Sequence, residues 1–212
     1  MIIKQTTLIL TFLLTTLLCF GQNKEWNYDQ HQRDRDRIFL PLLYSEFSEK
    51  PYARYTVVTS FTAEYAFSVE KIDEKYYIIS NIFSENLWYA GFKKSRDSVK
   101  LITRKTEISK KFYLKIGELF AIASQIRENE DNMIGVSDGV TYYFEITDKD
   151  ERIKTGKFRV FTDYSLLEKL VKICDSLFSI EIENDTFLKE IDILIYDLKK
   201  DKFSRKLYYY NE

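Results

Sequence analysis

Alternation of polar and apolar residues dominates the first half of the chain after its N-terminal segment. Residues 63–70 alternate in the manner of a half-buried strand. Residues 76–80, 87–90 and 98–103 are rich in β-branched and aromatic side chains, which predicts three further strands. Because the connections between them are short, we expect consecutive strands to pair as an antiparallel meander.

The apolar period then changes to three and four, which predicts an amphipathic helix over Ile108–Arg127. Two more strands, Val140–Ile146 and Lys157–Phe161, follow a polar loop. We assign Thr155-Gly156 to the turn between them, which makes the pair a hairpin.

The C-terminal third is predicted to be helical. Ser165 and Glu168 have the spacing of a capping box and precede an apolar stripe, so a helix starts there. A helix over Phe187–Leu198, capped by Asn184–Thr186, competes with a hairpin over Ile191–Tyr209. Helical periodicity favours the helix, and the tail that follows Leu198 receives no assignment.

These elements predict one α+β domain over residues 38–212, with an antiparallel meander and a hairpin packed against two or three amphipathic helices. The composition agrees with a folded domain. Of 212 residues, 45% are hydrophobic and 31% are charged, which excludes a disordered chain and a polytopic membrane protein. The net charge of -1 offers no global field for nucleic acid.

The N-terminus has the three parts of a secretory signal peptide. Lys4 precedes an uncharged apolar run over Thr6–Phe20, and we expect cleavage after Gly21. An uncleaved anchor is the alternative, but the run is shorter than a bilayer span. Lipidation at Cys19 is another, although Leu18 stands where a small residue is preferred. The predicted product is periplasmic or secreted, has a polar leader over residues 22–37 and keeps no integral membrane span.

Few residues of the exported chain are candidates for chemistry. His31 is the only histidine and lies in the charged leader, so it has no framework to fix its geometry. Cys174, the cysteine that remains after cleavage, lies on the apolar face of its helix, where a core role is expected. Glu128, Glu130 and Asp131 have the pattern of a solvated loop and not that of a calcium loop. We therefore predict no catalytic residue, no metal ligand and no cofactor.

Aromatic residues are the remaining candidates for binding. Trp88-Tyr89 could form an exposed platform for a sugar or a partner, but a core strand with Trp88 on one face is favoured. Asn184–Thr186 also matches the glycosylation sequon. The chain has no phosphate-binding glycine loop, nucleophile elbow or dinucleotide fingerprint.

Four segments resemble an uncharacterised family of small secreted Bacteroidetes proteins. They are Ser60–Phe67, Asn86–Tyr89, Asp138–Phe144 and Lys154–Lys157, and the resemblance covers roughly residues 61–178. The family would have a Trp and a Ser-Pro after its Gly-Lys pair, where this chain has Phe158-Arg159 and Asp163-Tyr164. The resemblance implies export and a shared fold, and it carries over no catalytic residue.

The sequence thus predicts an exported, non-enzymatic binding protein whose partner is another protein. A partner that it neutralises, as an immunity protein neutralises a toxin, is one form of this hypothesis. Carbohydrate binding through Trp88 and a carboxylate-dependent hydrolase of the cell envelope are the alternatives. The partner's identity and the oligomeric state are left open.

Overall fold

The computed structural model describes residues 37–93, 96–126, 139–159, 165–179 and 184–208. Its centre is a six-stranded antiparallel sheet with the strand order β4-β3-β2-β1-β5-β6. The strands are β1 (Ala53–Thr59), β2 (Tyr65–Ile72), β3 (Lys75–Phe83), β4 (Leu101–Ile108), β5 (Val140–Thr147) and β6 (Ile153–Phe158). The predicted meander and hairpin, and the α+β class, are confirmed. The signal peptide, and the leader up to residue 36, lie outside the described residues.

The described residues form four helices, together with helical residues 37–43 and a 3-10 turn at Arg96–Ser98. The helices are α1 (Leu87–Lys93), α2 (Lys110–Ala123), α3 (Ser165–Phe178) and α4 (Asp185–Tyr208). None of the helices in the described ranges is both long and apolar enough to cross a membrane.

The sheet buries apolar side chains on both faces, because successive residues of a strand point to opposite sides. Tyr55, Phe67 and Phe144 belong to the larger cluster, which includes side chains of α2, α3 and α4. Val58 and Ala66 belong to a second cluster with Phe39, Leu43, Phe83 and Leu87. The larger cluster contains most of the apolar core, so α2, α3 and α4 form the main layer against the sheet.

One predicted strand is wrong: residues 87–90 begin helix α1. The side-chain oxygen of Asn86 accepts the N–H of Tyr89 at 2.6 Å, and the carboxylate of Glu64 accepts the N–H of Leu87 at 3.0 Å. These bonds satisfy N–H groups that a helix start leaves without internal partners. The cap and a distant carboxylate therefore outweigh the strand preference of the aromatic residues.

The predicted hairpin turn is also displaced, since Thr155-Gly156 lies inside β6. The connection is residues 148–152, where the Asp148 carboxylate accepts the N–H groups of Asp150 at 2.9 Å and Arg152 at 3.0 Å. β6 consequently starts at Ile153 and not at Lys157. The strand predicted over 98–103 likewise begins later, at Leu101.

The helices agree more closely with the sequence. α2 begins at Lys110, directly after its cap Ser109, whose hydroxyl accepts the N–H of Phe112 at 3.1 Å. β4 ends just before this cap, at Ile108. α3 starts at Ser165 as expected, although the side chain of Ser165 lies outside the described part. α4 confirms the helix over the competing hairpin and continues to Tyr208. Its cap is Asn184, whose side-chain oxygen accepts the N–H of Phe187 at 2.8 Å.

Candidate functional site

The residues singled out from the sequence do not form one site. His31 and the acidic loop at Glu128–Asp131 lie outside the described residues. Cys174 is fully buried in α3, as predicted, and burial raises the pKa of its thiol. Trp88 lies in α1, where its side chain is outside the described part, whereas Tyr89 is 43% exposed. Within the described ranges, no cluster of His, Cys, Asp or Glu side chains could hold a metal ion.

The buried carboxylate of Glu70 and the half-buried carboxylate of Glu145, both in the sheet, bind groups of the protein itself. Glu70 accepts the N–H of Ser48 at 3.0 Å and also the hydroxyl of Ser68. Glu145 lies 3.2 Å from the guanidinium of Arg54, whose other nitrogen donates to the carbonyl of Ser48. These contacts fix the segment after helical residues 37–43 to the sheet. They are structural anchors, because buried charges are stable only when paired in this way.

A second polar cluster joins α3 to the sheet. The hydroxyl groups of Tyr55 and Tyr65 donate to the same oxygen of Asp175, at 3.1 Å and 2.7 Å. Burial raises the pKa of the Asp175 carboxyl, and the two hydroxyl donors partly oppose that rise. Burial is also the main cause of the raised pKa of both tyrosines. With its carboxylate bonded to both tyrosines, Asp175 fixes the position of α3 against β1 and β2.

The two outer strands of the sheet differ in their contacts with the described residues, and β6 contacts the end of α2 and the turn after it. The N–H of Lys157 donates to the carbonyl of Ile126, in the turn after α2, at 3.2 Å. A Cβ placed on Gly156 would lie only 2.1 Å from the carbonyl oxygen of Ala123. The end of α2 and the turn that follows therefore lie directly against β6.

On the other side of the sheet, β4 pairs with β3 and with no other strand in the described ranges. The N–H of Ser84 donates to the carbonyl of Lys100 at 2.8 Å, which fixes which residues of β4 face β3. Hydrogen-bonded pairs alternate along an antiparallel ladder, so Ile102, Arg104 and Thr106 bond to β3. The main-chain groups of the alternate residues point outwards: Leu101, Thr103, Lys105 and Glu107.

The side chains of β4 make this edge, which no described strand pairs with, accessible and basic. Residues 102–105 are all exposed, and Ile102 is 56% exposed. The Arg104 guanidinium donates to the carbonyl of Ser179 at 3.2 Å, and the Lys105 ammonium lies 4.2 Å from the centre of the Tyr77 ring. The one acidic residue of the strand, Glu107, pairs with Lys75 at 2.9 Å.

The sequence signal for this edge is local charge, which the net charge of the chain conceals. Residues 93–111 contain eight basic residues and two acidic ones, Asp97 and Glu107. The basic ones are Lys93, Lys94, Arg96, Lys100, Arg104, Lys105, Lys110 and Lys111. A count of charge by segment would have indicated this strand as a surface feature.

The chain matches no protein-family model, no curated protein and no solved structure. The resemblance to secreted Bacteroidetes proteins therefore stays a prediction.

Proposed function

We propose that this is an exported, non-enzymatic protein that binds another protein by adding a strand of the partner to β4. The observation that carries the proposal is the open edge itself. Eight residues, Leu101–Ile108, present outward main-chain groups at every second position, and no described element pairs with them. An exposed strand of this length is a template for pairing with an extended segment of another chain.

The asymmetry of the sheet supports this choice of edge. Proteins usually cover or interrupt their outer strands, and here the turn after α2 covers β6. β4 is longer than β6, with eight residues against six, and its central side chains are exposed. A partner strand would gain main-chain hydrogen bonds from Thr103 and Lys105 and an apolar contact with Ile102.

The alternatives have less support. A carboxylate-dependent hydrolase needs two carboxylates free to act on a substrate, whereas Glu70 and Glu145 accept hydrogen bonds that anchor the fold. Among the described side chains, carbohydrate binding is favoured by the exposure of Tyr89 and of Phe61, which is 66% exposed. A toxin that this protein neutralises would be compatible with strand addition. Binding along β4 could cover the surface through which the toxin acts.

Affinity capture with edge variants tests the proposal. The protein is immobilised and exposed to periplasmic extract from its source, and bound proteins are identified by mass spectrometry. We expect one stoichiometric partner, lost in Thr103→Pro and retained in Thr103→Val. Proline removes an outward N–H and leaves the bonds to β3 in place, while valine keeps that N–H.

The matched control at the other edge is Thr155→Pro in β6, which should retain the partner. Hydrogen exchange of the complex adds a direct measurement, since the amides of Thr103 and Lys105 should become protected when the partner binds. Capture that is equal in Thr103→Pro and wild type would contradict the proposal. Recovery of a glycan in place of a protein would support carbohydrate binding instead.

A further inference from the structure

We propose that the outer face of α4 binds an amphipathic helix of another protein, one with an acidic residue at each end of its apolar face. Four exposed residues of α4 carry the inference: Lys189, Ile193, Tyr196 and Lys200. They belong to a different element from β4, so the inference goes beyond strand addition and does not depend on it.

The four residues lie on one narrow stripe of α4, because their spacing along the chain is four, three and four. This is also the spacing of the seam through which one helix packs against another. The opposite face of α4 is the buried one. Its residues in the core are Leu188, Ile191, Leu194, Ile195 and Leu198.

The apolar pair at the centre of the stripe is well exposed, since Ile193 is 60% exposed and Tyr196 is 67% exposed. A single apolar residue on a surface is common, but two residues three apart on a helix are neighbours and form one patch. Leu114 of α2, which is 54% exposed, lies near this patch, because the adjacent Lys115 pairs with Asp192 of α4 at 2.7 Å. A partner helix would therefore remove a connected apolar surface from water.

The charges at the two ends of the stripe select the occupant. Lys189 and Lys200 are exposed and form no ion pair with any described residue. A partner helix with acidic residues at both ends complements them, whereas a second copy of this chain does not. Two such stripes packed in parallel would place Lys189 beside its own copy, and packed antiparallel they would place Lys189 beside Lys200. Like charges oppose both arrangements.

Carboxylates on both sides of the stripe disfavour a membrane surface as the occupant. Asp192 points towards α2, where it pairs with Lys115, and Asp197 points towards α3, where it lies 3.9 Å from Lys169. An anionic lipid surface is a plane, so it would approach these carboxylates together with the stripe. A single helix is narrow enough to contact the stripe between them.

The spacing of the stripe also specifies the partner sequence. Because four, three and four is the same in both directions, a helix of either orientation can match it. The complementary helix has an acidic residue, two apolar residues and a second acidic residue at this spacing.

Heteronuclear NMR titration of the purified protein measures this preference, even when binding is weak. The probes are Ala-rich helical peptides with Leu at the two central positions of this spacing and Glu, Gln or Lys at the two outer positions. We expect the Glu peptide to bind about fivefold more tightly than the Gln peptide, from two exposed charge pairs. The Lys peptide should bind most weakly, and a Glu peptide with Ala in place of both Leu residues should not bind.

Variants of the apolar pair assign the binding to α4. Ile193→Ala with Tyr196→Ala should abolish measurable binding of the Glu peptide, and unchanged amide spectra away from α4 would show that the variant is folded. The matched control is Phe61→Ala with Ile102→Ala, which removes exposed apolar side chains elsewhere and should retain binding.

Variants of the two lysines test the charge preference. Lys189→Glu with Lys200→Glu should reverse it, so that the Lys peptide binds most tightly. Lys100→Glu with Lys149→Glu changes the net charge by the same amount at other exposed positions and should keep the preference for the Glu peptide.

Each other outcome overturns the inference. Equal binding of the Glu, Gln and Lys peptides would remove the acidic preference, and absence of shifts with every peptide would remove the helix. Attachment to phosphatidylglycerol vesicles that requires Ile193 and Tyr196, without peptide binding, would replace the helix with a membrane surface. Shifts in α4 that follow protein concentration alone would replace it with a second copy. Thr103→Pro should leave binding of the Glu peptide unchanged, so failure of strand addition and failure of this inference are distinguishable.

Discussion

The two outer strands of the sheet, β4 and β6, both contain basic residues but make different contacts with the rest of the chain. Both contain basic residues, which is a common feature of strands at sheet edges. In β6, Lys154 lies 3.3 Å from the carboxylate of Asp148, and the N–H of Lys157 is bonded to the carbonyl of Ile126. In β4, Arg104 and Lys105 flank a row of outward main-chain groups that no described strand pairs with.

This difference shows that edge lysines alone do not indicate an edge protected from pairing. At β6, Lys154 pairs with Asp148 within the hairpin, and the outward N–H of Lys157 is bonded to the turn after α2. At β4, the side chains of residues 102–105 are exposed beside main-chain groups that no described strand pairs with.

The largest effect that separates the edges is expected from Gly156→Ala. The added Cβ would lie 2.1 Å from the backbone oxygen of Ala123, so β6 or the turn after α2 must move. We expect the free energy of unfolding, measured by urea denaturation, to fall by about 2–3 kcal/mol. The Lys157 amide should also exchange faster, since its bond to Ile126 depends on that contact.

Gly91→Ala is the matched control for this substitution. The new Cβ at that position would approach the Arg96 side chain, at 2.6 Å, and a flexible side chain can move where a backbone cannot. Its cost should therefore be smaller, and alanine also favours the helix α1. Equal losses in the two variants would contradict close packing of the turn against β6.

How far the sequence predicts this fold depends on whether an element is determined locally. α3 and α4 could be predicted because their apolar residues recur at helical spacing and because Asn184 is a local cap. α1 could not, because the bond from Leu87 to Glu64 connects residues 23 positions apart. The sequence misplaces the hairpin turn for a different reason: Gly156 suggests a turn, but a glycine is required there by the close approach of Ala123.

The candidate site was less predictable than the fold. The basic run over residues 93–111 is visible in the sequence, yet charge alone does not show whether a strand is at an edge. That property follows from the strand order, in which the chain returns after β4 to add β5 beside β1. Lys157 illustrates the same limit, because its bond to Ile126 depends on where α2 ends.

A smaller effect is expected in the hydrogen exchange of the free protein. Within β4, the amides of Thr103 and Lys105 point outwards, while those of Ile102 and Arg104 bond to β3. We expect the outward amides to exchange at least about tenfold faster than their neighbours. The Lys157 amide of β6, which also points outwards, should resemble the protected set because Ile126 accepts it. Uniform protection along β4 would show that its outer side is covered.

The smallest effect concerns the neutralised charge of β6 and its pH dependence. The N–H groups of Arg152 and Asp150, with the ammonium of Lys154, hold the pKa of the Asp148 carboxyl below its ordinary value. A carboxyl with a depressed pKa in the folded state contributes stability above its unfolded pKa of about 4, and this contribution is lost as pH falls through the folded pKa. Asp148→Asn should therefore be less stable than wild type near neutral pH, and the difference should shrink below about pH 4 in urea unfolding series. A difference that stays constant to acid pH would mean that the carboxylate charge does not stabilise the β6 hairpin, and the electrostatic contrast with β4 would then be lost.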